Sequence, residues 1–288
     1  DPWAIGALTH ALSDHPLLQL DALVDLGRRH DARGLVRSHS DQATSATSFA
    51  EAPNLLPNPK SAVETLSDME NARAWMSLLN VQADPVYRRF IDELLDEVRT
   101  IIERRDPGMC YRAGWIFISS PNAVTPFHID HEHNIILQIR GNKRLYAWDP
   151  FDREIVSERA QERFHDEHSR ELVTYDDAFE AKARIFDLVP GQGGFMPSTT
   201  PHTVKNGDNV SVTMSLTFYT DSTRRRAVLY RGNAALRRRG LKPTPVGASA
   251  FRDGAKIAAL SGLLRAKHSL RKALGKPITD TSVRYAPV

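Results

Sequence analysis

His128 and Asp130, separated by one residue, and His202 further along the chain are the side chains here best suited to chemistry. Two imidazoles and one carboxylate form the three-ligand face that suits non-haem Fe(II), with positions left open for reactants. A strand would deliver the first pair directly. Alternate residues share a face, so His128, Asp130, Glu132 and Asn134 point one way and Ile129, His131 and His133 the other. His202 supplies the third ligand if closure of a barrel brings its strand alongside. A lone His-x-Asp pair is also common on surface strands, so the residues alone leave that reading open. Other chemistries find no support, since a zinc-hydrolase His-x-His-x-Asp-His order, a Gly-x-Ser-x-Gly elbow, a phosphate loop and a Cys-x-x-Cys pair are all missing. The single cysteine, Cys110, sits between Met109 and Tyr111 and reads as a structural thiol.

The elements that must position these residues are β in the middle of the chain. Residues 111–119 form a first strand. Residues 135–139 and 144–148 read as a hairpin around Gly141-Asn142, and 203–205 with 210–219 as a second around residues 206–209. A two-residue turn pairs Arg140 with Lys143 and places Asn134 and Lys143 on one interior face. A lysine directed into a barrel needs an anionic partner, because an unpaired buried ammonium is very costly. A dicarboxylate cosubstrate would provide one, and a place at the barrel mouth would remove the need. Residues 183–189 add a strand, while 151–185 read as a polar insertion. The N-terminal part reads as helices over 4–12, 17–29, 61–79 (with Trp75 and Leu79 on one face) and 86–104, with a short strand at 34–38 and a loop over 41–60. Helices over 230–239 and 253–274 close the chain. Short strands with turns between them argue for a mainly β protein with a β-barrel or sandwich over 111–220, a helical N-terminal region over 1–110 and basic C-terminal helices over 223–288.

An apolar share of 41% and a charged share of 25% are ordinary for a soluble globular protein. No apolar run approaches the ~20 residues of a membrane span, and no signal-peptide pattern is visible after Asp1. One cysteine fits a reducing, cytoplasmic compartment. The net charge of +3 conceals an asymmetry: residues 221–288 hold 16 Lys and Arg against three acids, and the rest holds 22 against 32. Such segregation marks either an anionic partner or a basic tail packed on an acidic body. Arg224-Arg225-Arg226 and Arg237-Arg238-Arg239 raise nucleic acid as a partner, but no base-reading motif accompanies them and solvated helix faces are the simpler reading. The stripe of Ile257, Leu260, Leu263, Leu264, Leu270 and Leu274 is suited to a homodimer interface.

Thr125, His128, Asp130, Asn134 and Lys143, taken with the approach over 191–202, resemble the JmjC branch of the 2-oxoglutarate oxygenases. In particular they are similar to the factor-inhibiting asparaginyl hydroxylases and related bacterial cupin-like proteins. The resemblance covers about residues 111–220, and His15-Pro16-Leu17-Leu18, Ala74-Trp75 and the basic C-terminal helices also look like the bacterial group. It implies a double-stranded β-helix (cupin, jelly-roll) core over 111–222, in which His128, Asp130 and His202 bind Fe(II). It further implies that Lys143 pairs with the distal carboxylate of 2-oxoglutarate, that Thr125 hydrogen-bonds the same group and that Asn134 lines the cosubstrate pocket. Thr217 stands where the family often places an asparagine. The implied reaction consumes O2 and 2-oxoglutarate, releases succinate and carbon dioxide, and hydroxylates an unactivated C–H bond of a polypeptide side chain or a small metabolite. The alternative is a catalytically silent cupin-like binding or transcription-regulatory protein.

Overall fold

Between Ser211 and Tyr219 apolar and hydroxyl side chains alternate, and all nine residues are buried. Such a strand has two covered faces. Val212, Met214, Leu216 and Phe218 join the largest apolar cluster, while Ser211, Thr213, Ser215 and Thr217 face the interior between two sheets.

The computed structural model describes residues 1–273, with side chains through Leu260 and at Gly262. In chain order its strands are β1 (Gly6–Thr9), β2 (Val36–Ser40), β3 (Ala74–Leu78), β4 (Cys110–Ser119), β5 (Val124–His128), β6 (His133–Arg140), β7 (Lys143–Ala147), β8 (Arg184–Leu188), β9 (Gln192–Met196), β10 (His202–Asn206) and β11 (Ser211–Tyr219). They form a seven-stranded sheet, β1-β9-β6-β11-β4-β3-β2, and a four-stranded sheet, β5-β10-β7-β8. All pairings are antiparallel. From β4 to β7, and again from β8 to β11, the chain alternates between sheets, which is the winding of a jelly roll.

Helices cover the outer faces. They are α1 (Leu20–Asp31), α2 (Ala52–Leu55), α3 (Ala62–Ser67), α4 (Pro85–Glu103), α5 (Glu158–Glu167), α6 (Asp221–Arg238) and α7 (Ala250–Ala273). α4 starts cleanly because Asp84 caps Val86 N–H and Pro85 occupies the first turn. It buries Tyr87, Phe90, Ile91 and Leu95 against the larger sheet, together with α1 and α3. The outer face of the smaller sheet packs Phe127, Tyr146 and Trp148 against Ile155, Val156, Ala160 and Phe164. Ile136, Leu145, Ala147, Met196 and Val204 close one end of the space between the sheets.

The mainly β core with helical additions is as expected, but several elements differ. The helix expected over 4–12 is the edge strand β1, whose pairing with β9 satisfies a backbone stretch too short to sustain a helix. The helix expected over 61–79 stops at Ser67, and after Arg73, with φ of 52°, the chain enters β3. A spacing of four suits both a helix and a strand, so Trp75 of β3 and Leu79 just past its end share the inner side of the sheet instead of a helix face. The N-terminal 110 residues therefore contribute three strands to the larger sheet. The supposed insertion over 151–185 contains α5, which covers the smaller sheet. Neither expected hairpin forms: β6 and β7 lie in different sheets, as do β10 and β11. Gly141, with φ of +69°, serves a sheet-to-sheet corner, where an added Cβ would lie 2.4 Å from the Val210 carbonyl oxygen. The two corners hold each other, with Gly207 N–H donating to Asn142 O at 2.8 Å. Glycine is needed for that close approach rather than for a two-residue turn.

The basic C-terminal part meets acids of the body. Thr220 forms a capping box with Thr223 at the start of α6. Near its other end Arg237 Nε pairs with Glu162 of α5 at 2.5 Å and Arg238 pairs with Asp166. Ile257 of α7 packs on Leu229, Tyr230 and Val246. The side chains of Leu263, Leu264, Leu270 and Leu274, on which the homodimer expectation depends, lie outside the described residues. No helix among the described residues is long and apolar enough to cross a membrane.

Candidate metal centre

An irregularity in β5 sets the site. Val204 of β10 pairs with Thr125 and His202 pairs with His128, so Pro126 and Phe127 together oppose the single residue Thr203. This is a β-bulge, a position where proline is tolerated. It turns both Thr125 and His128 toward the opposite sheet although they are three residues apart. The Pro126 carbonyl accepts a hydrogen bond from His128 Nδ1 at 2.8 Å, and the Thr200 carbonyl accepts one from His202 Nδ1 at 3.0 Å. Tying both Nδ1 atoms to backbone carbonyls leaves each Nε2 lone pair free to bind a metal.

Asp130 lies just beyond β5, where the chain crosses to the larger sheet. Its Oδ2 stands 3.6 Å from His128 Nε2 and 3.8 Å from His202 Nε2, while Arg170 Nη2 donates to Oδ1 at 3.2 Å. One carboxylate oxygen is thus held by arginine and the other presented to the imidazoles. Among the described residues, His128, Asp130 and His202 form the group whose ligand atoms all lie within 4.8 Å of one another. Burial and the His128 charge push His202 down to about 4, so it is a neutral donor near pH 7. Burial alone would raise the Asp130 carboxyl, but His128, His202 and Arg170 hold it well below the usual carboxylate range. Two imidazoles and an ionised carboxylate fit a divalent transition metal.

The triad opens onto a cleft of about 310 Å3. Trp75, Ser77, Trp115, Phe117, Ser215 and Thr217 of the larger sheet form one wall, and Arg37, Phe49 and Arg170 complete the lining beside the triad. Phe49 stacks on His128, with ring centroids 3.8 Å apart and planes 8° apart, and the Arg37 guanidinium lies 4.4 Å from the Phe49 ring centre. Burial and neighbouring Asp130 raise Glu132, also in the cleft, to about 7, and Tyr219 Oη donates to its Oε1 at 2.9 Å.

The family model for the cupin-like domain matches residues 20–224, well over half the chain. The chain belongs to the cupin-like domain family. No curated protein sequence matches this cupin-like protein. Among solved structures it is similar to YcfD, a ribosomal oxygenase from Escherichia coli in complex with cobalt and 2-oxoglutarate (17% identity, TM-score 0.36, 67% of this chain and 47% of that one). It is also similar to the DMSP lyase DddQ from Ruegeria pomeroyi (16% identity, TM-score 0.25, 38% and 39%). The chain spans about half the length of the YcfD chains it matches.

Within this cupin-like domain the expected residues fall as follows. His128, Asp130, Glu132 and Asn134 all line the cleft, but not as one strand, because β5 ends at His128 and β6 begins at His133 in the other sheet. Ile129 and His133 turn away, Ile129 into the outer apolar cluster and His133 toward Asp106; His131 borders the cleft and stacks on Phe164. Asn134 Oδ1 accepts from Ser215 Oγ at 2.7 Å, and Thr217, paired with Asn134 across β6 and β11, has a buried hydroxyl without a partner. Thr125 Oγ1 accepts the Trp75 indole N–H at 2.9 Å. Lys143 is buried on the same face of the smaller sheet as His202, since β10 pairs His202 with Ala147 and Asn206 with Lys143. Asn134 and Lys143 do both face inward, from opposing sheets and not across a hairpin. Lys143 is not among the residues lining the metal cleft; it borders a separate depression with Asn206 and Leu188. Arg37, Phe49 and Arg170 escape sequence reasoning. Phe49 and Arg170 come from segments that read as polar loops, and nothing distinguishes Arg37 from any charged residue on a short strand.

Proposed function

We propose that this cupin-like protein is an Fe(II)- and 2-oxoglutarate-dependent oxygenase that hydroxylates an unactivated C–H bond. The observation that carries this reading is the triad: two imidazoles with Nδ1 tied to backbone carbonyls and one carboxylate, converging at the floor of a largely aromatic cleft. His128, Asp130 and His202 would hold the metal. When bound, iron would supply O2 activation coupled to decarboxylation of 2-oxoglutarate. The chain's own residues bind, orient and exclude water. Arg170 fixes the Asp130 carboxylate, and Phe49 covers the His128 ring. Lys143 and Thr125 receive the distal carboxylate of the cosubstrate, with Asn134 and Thr217 beside it. The substrate class attached to this reading is a polypeptide side chain or a small metabolite.

The test is succinate formation from 2-oxoglutarate by the Fe(II)-loaded protein, compared with His128→Ala. Metal-dependent succinate release that disappears in the variant supports the reading. Equal release from both sinks it, and metal binding without any release leaves a silent cupin-like binding protein.

A further inference from the structure

Arg37 and Ser77 are directly opposed across β2 and β3, and both line the cleft that holds the metal triad. Directly opposed residues share a face. Arg37 Nε and Ser77 Oγ are each buried without a hydrogen-bond partner. The guanidinium donates through Nη2 to the Phe49 carbonyl, and among the described residues no ion pair reaches it. Arg170, the other arginine lining the cleft, differs in having Asp130 as its partner. Leaving a buried charge and a buried hydroxyl unsatisfied is costly. Two such groups on opposed positions, both facing a cleft, mark a place where a ligand completes the bonding.

The chemistry of that ligand follows from the groups. A guanidinium only donates, and a hydroxyl beside it is free to donate as well. The complement is an acceptor carrying negative charge, and the planar guanidinium fork matches a carboxylate. Thr217 Oγ1, also unpartnered, lies further along the same wall. Trp75, Trp115, Phe117 and Phe49 offer aromatic surface for an apolar body. The function proposed above assigns the distal carboxylate of 2-oxoglutarate to Lys143, which faces inward from the opposing sheet outside the cleft lining, and so leaves Arg37 to the second substrate. We infer that the molecule oxidised here carries a carboxylate, bound by Arg37 and Ser77, on an apolar body held by the aromatic wall. This rests on the oxygenase reading for the word oxidised and on the Lys143 assignment for the division between the two substrates, but not for the anion site.

Trp75 and Trp115 line the cleft, so tryptophan fluorescence reports binding without turnover. The full chain, loaded with Mn(II) and 2-oxoglutarate, is titrated with phenylacetate against phenylacetamide. It is then titrated with acetyl-Phe-Asp-Phe-amide against its Asn counterpart. In at least one pair the acid binds at least tenfold more tightly than the neutral analogue; the first pair marks a small carboxylic acid and the second an acidic polypeptide side chain. Arg37→Gln brings that ratio within twofold, Arg37→Lys retains part of it, and Ser77→Ala, the gentler change, lowers acid affinity about threefold. Equal binding of acid and analogue in both pairs, absence of binding included, overturns the inference, as does an acid preference that survives Arg37→Gln. Succinate release by the unmutated protein is measured separately, so loss of the oxygenase reading and loss of the anion site are told apart.

Discussion

Lys143 starts β7 between Asn206 of β10 and Leu188 of β8, and only 7% of its surface is exposed. Its inward neighbours Leu145 and Val204 are apolar. Burial pushes its ammonium from an ordinary 10.5 down to about 7. At 1.36 kcal/mol per pH unit, that gap corresponds to roughly 5 kcal/mol against the charged form. A dianion requires the charged form, so binding 2-oxoglutarate must restore the proton. Lysine in the free protein is charged below pH 7 and neutral above it, so affinity is level in acid and falls about tenfold per pH unit above 7. Between pH 7 and pH 9 the Kd for 2-oxoglutarate should rise roughly fiftyfold. Lys143→Arg, whose guanidinium stays charged, should flatten the profile. The assay is titration of 2-oxoglutarate into the Mn(II)-loaded protein across this range by calorimetry. Repeating it at pH 7 in buffers of different ionisation enthalpy should show uptake of about half a proton per ligand. A level Kd from pH 7 to pH 9 in the unmutated protein refutes the role given to Lys143.

Gly141→Ala places a side chain against the Val210 carbonyl in a left-handed backbone, and should cost roughly 3 kcal/mol; thermal melting should drop by roughly 6–12 °C. His165 is stacked on Tyr230, and burial with Arg231 and Arg226 pushes it down to about 3. Below pH 6.5 the unfolded chain therefore takes up a proton that the folded chain refuses, and stability falls by about 1.4 kcal/mol per pH unit until pH 3. His165→Phe should remove about 3 kcal/mol of the acid loss at pH 4, and urea denaturation showing the same loss between pH 7 and pH 4 in both proteins would count against it. Arg237→Ala strands Glu162, of whose side chain only 2% is exposed, at a cost of about 1–2 kcal/mol given the half-exposed arginine. Removing Glu162 as well should recover part of that loss, which a double-mutant cycle measures.

The triad was legible because the type of ligand and the one-residue spacing of His128 and Asp130 are local properties, although Asp130 lies beyond β5 and reaches the site from the crossing to the other sheet instead of by strand alternation. The same holds for β11, whose alternating hydroxyl and apolar residues state both of its faces. Which sheet a strand joins is not local. Glycine beside asparagine at 141–142 suits a tight turn and also a corner pressed against another corner, and only the contact with Gly207 distinguishes them. The four-residue spacing of Trp75 and Leu79 has the same ambiguity, since it satisfies the helix and strand periods alike. Arg37, Phe49 and Arg170 gain meaning only from what they touch, and those contacts join residues far apart in the chain. Lys143 shows both sides: its inward direction was readable, while the route to it was wrong.

The bulge at Pro126 and Phe127 fixes the direction of the imidazole more than the face it occupies. With one residue fewer the ladder would become regular, and Thr125 and His128, then two apart, would still share the inward face opposite Val204 and His202. What the extra residue supplies is the kink that brings the Pro126 carbonyl onto His128 Nδ1. The irregularity therefore acts as a rotational stop on one ring, and closing it would leave every ligand inside the barrel with the first imidazole unheld.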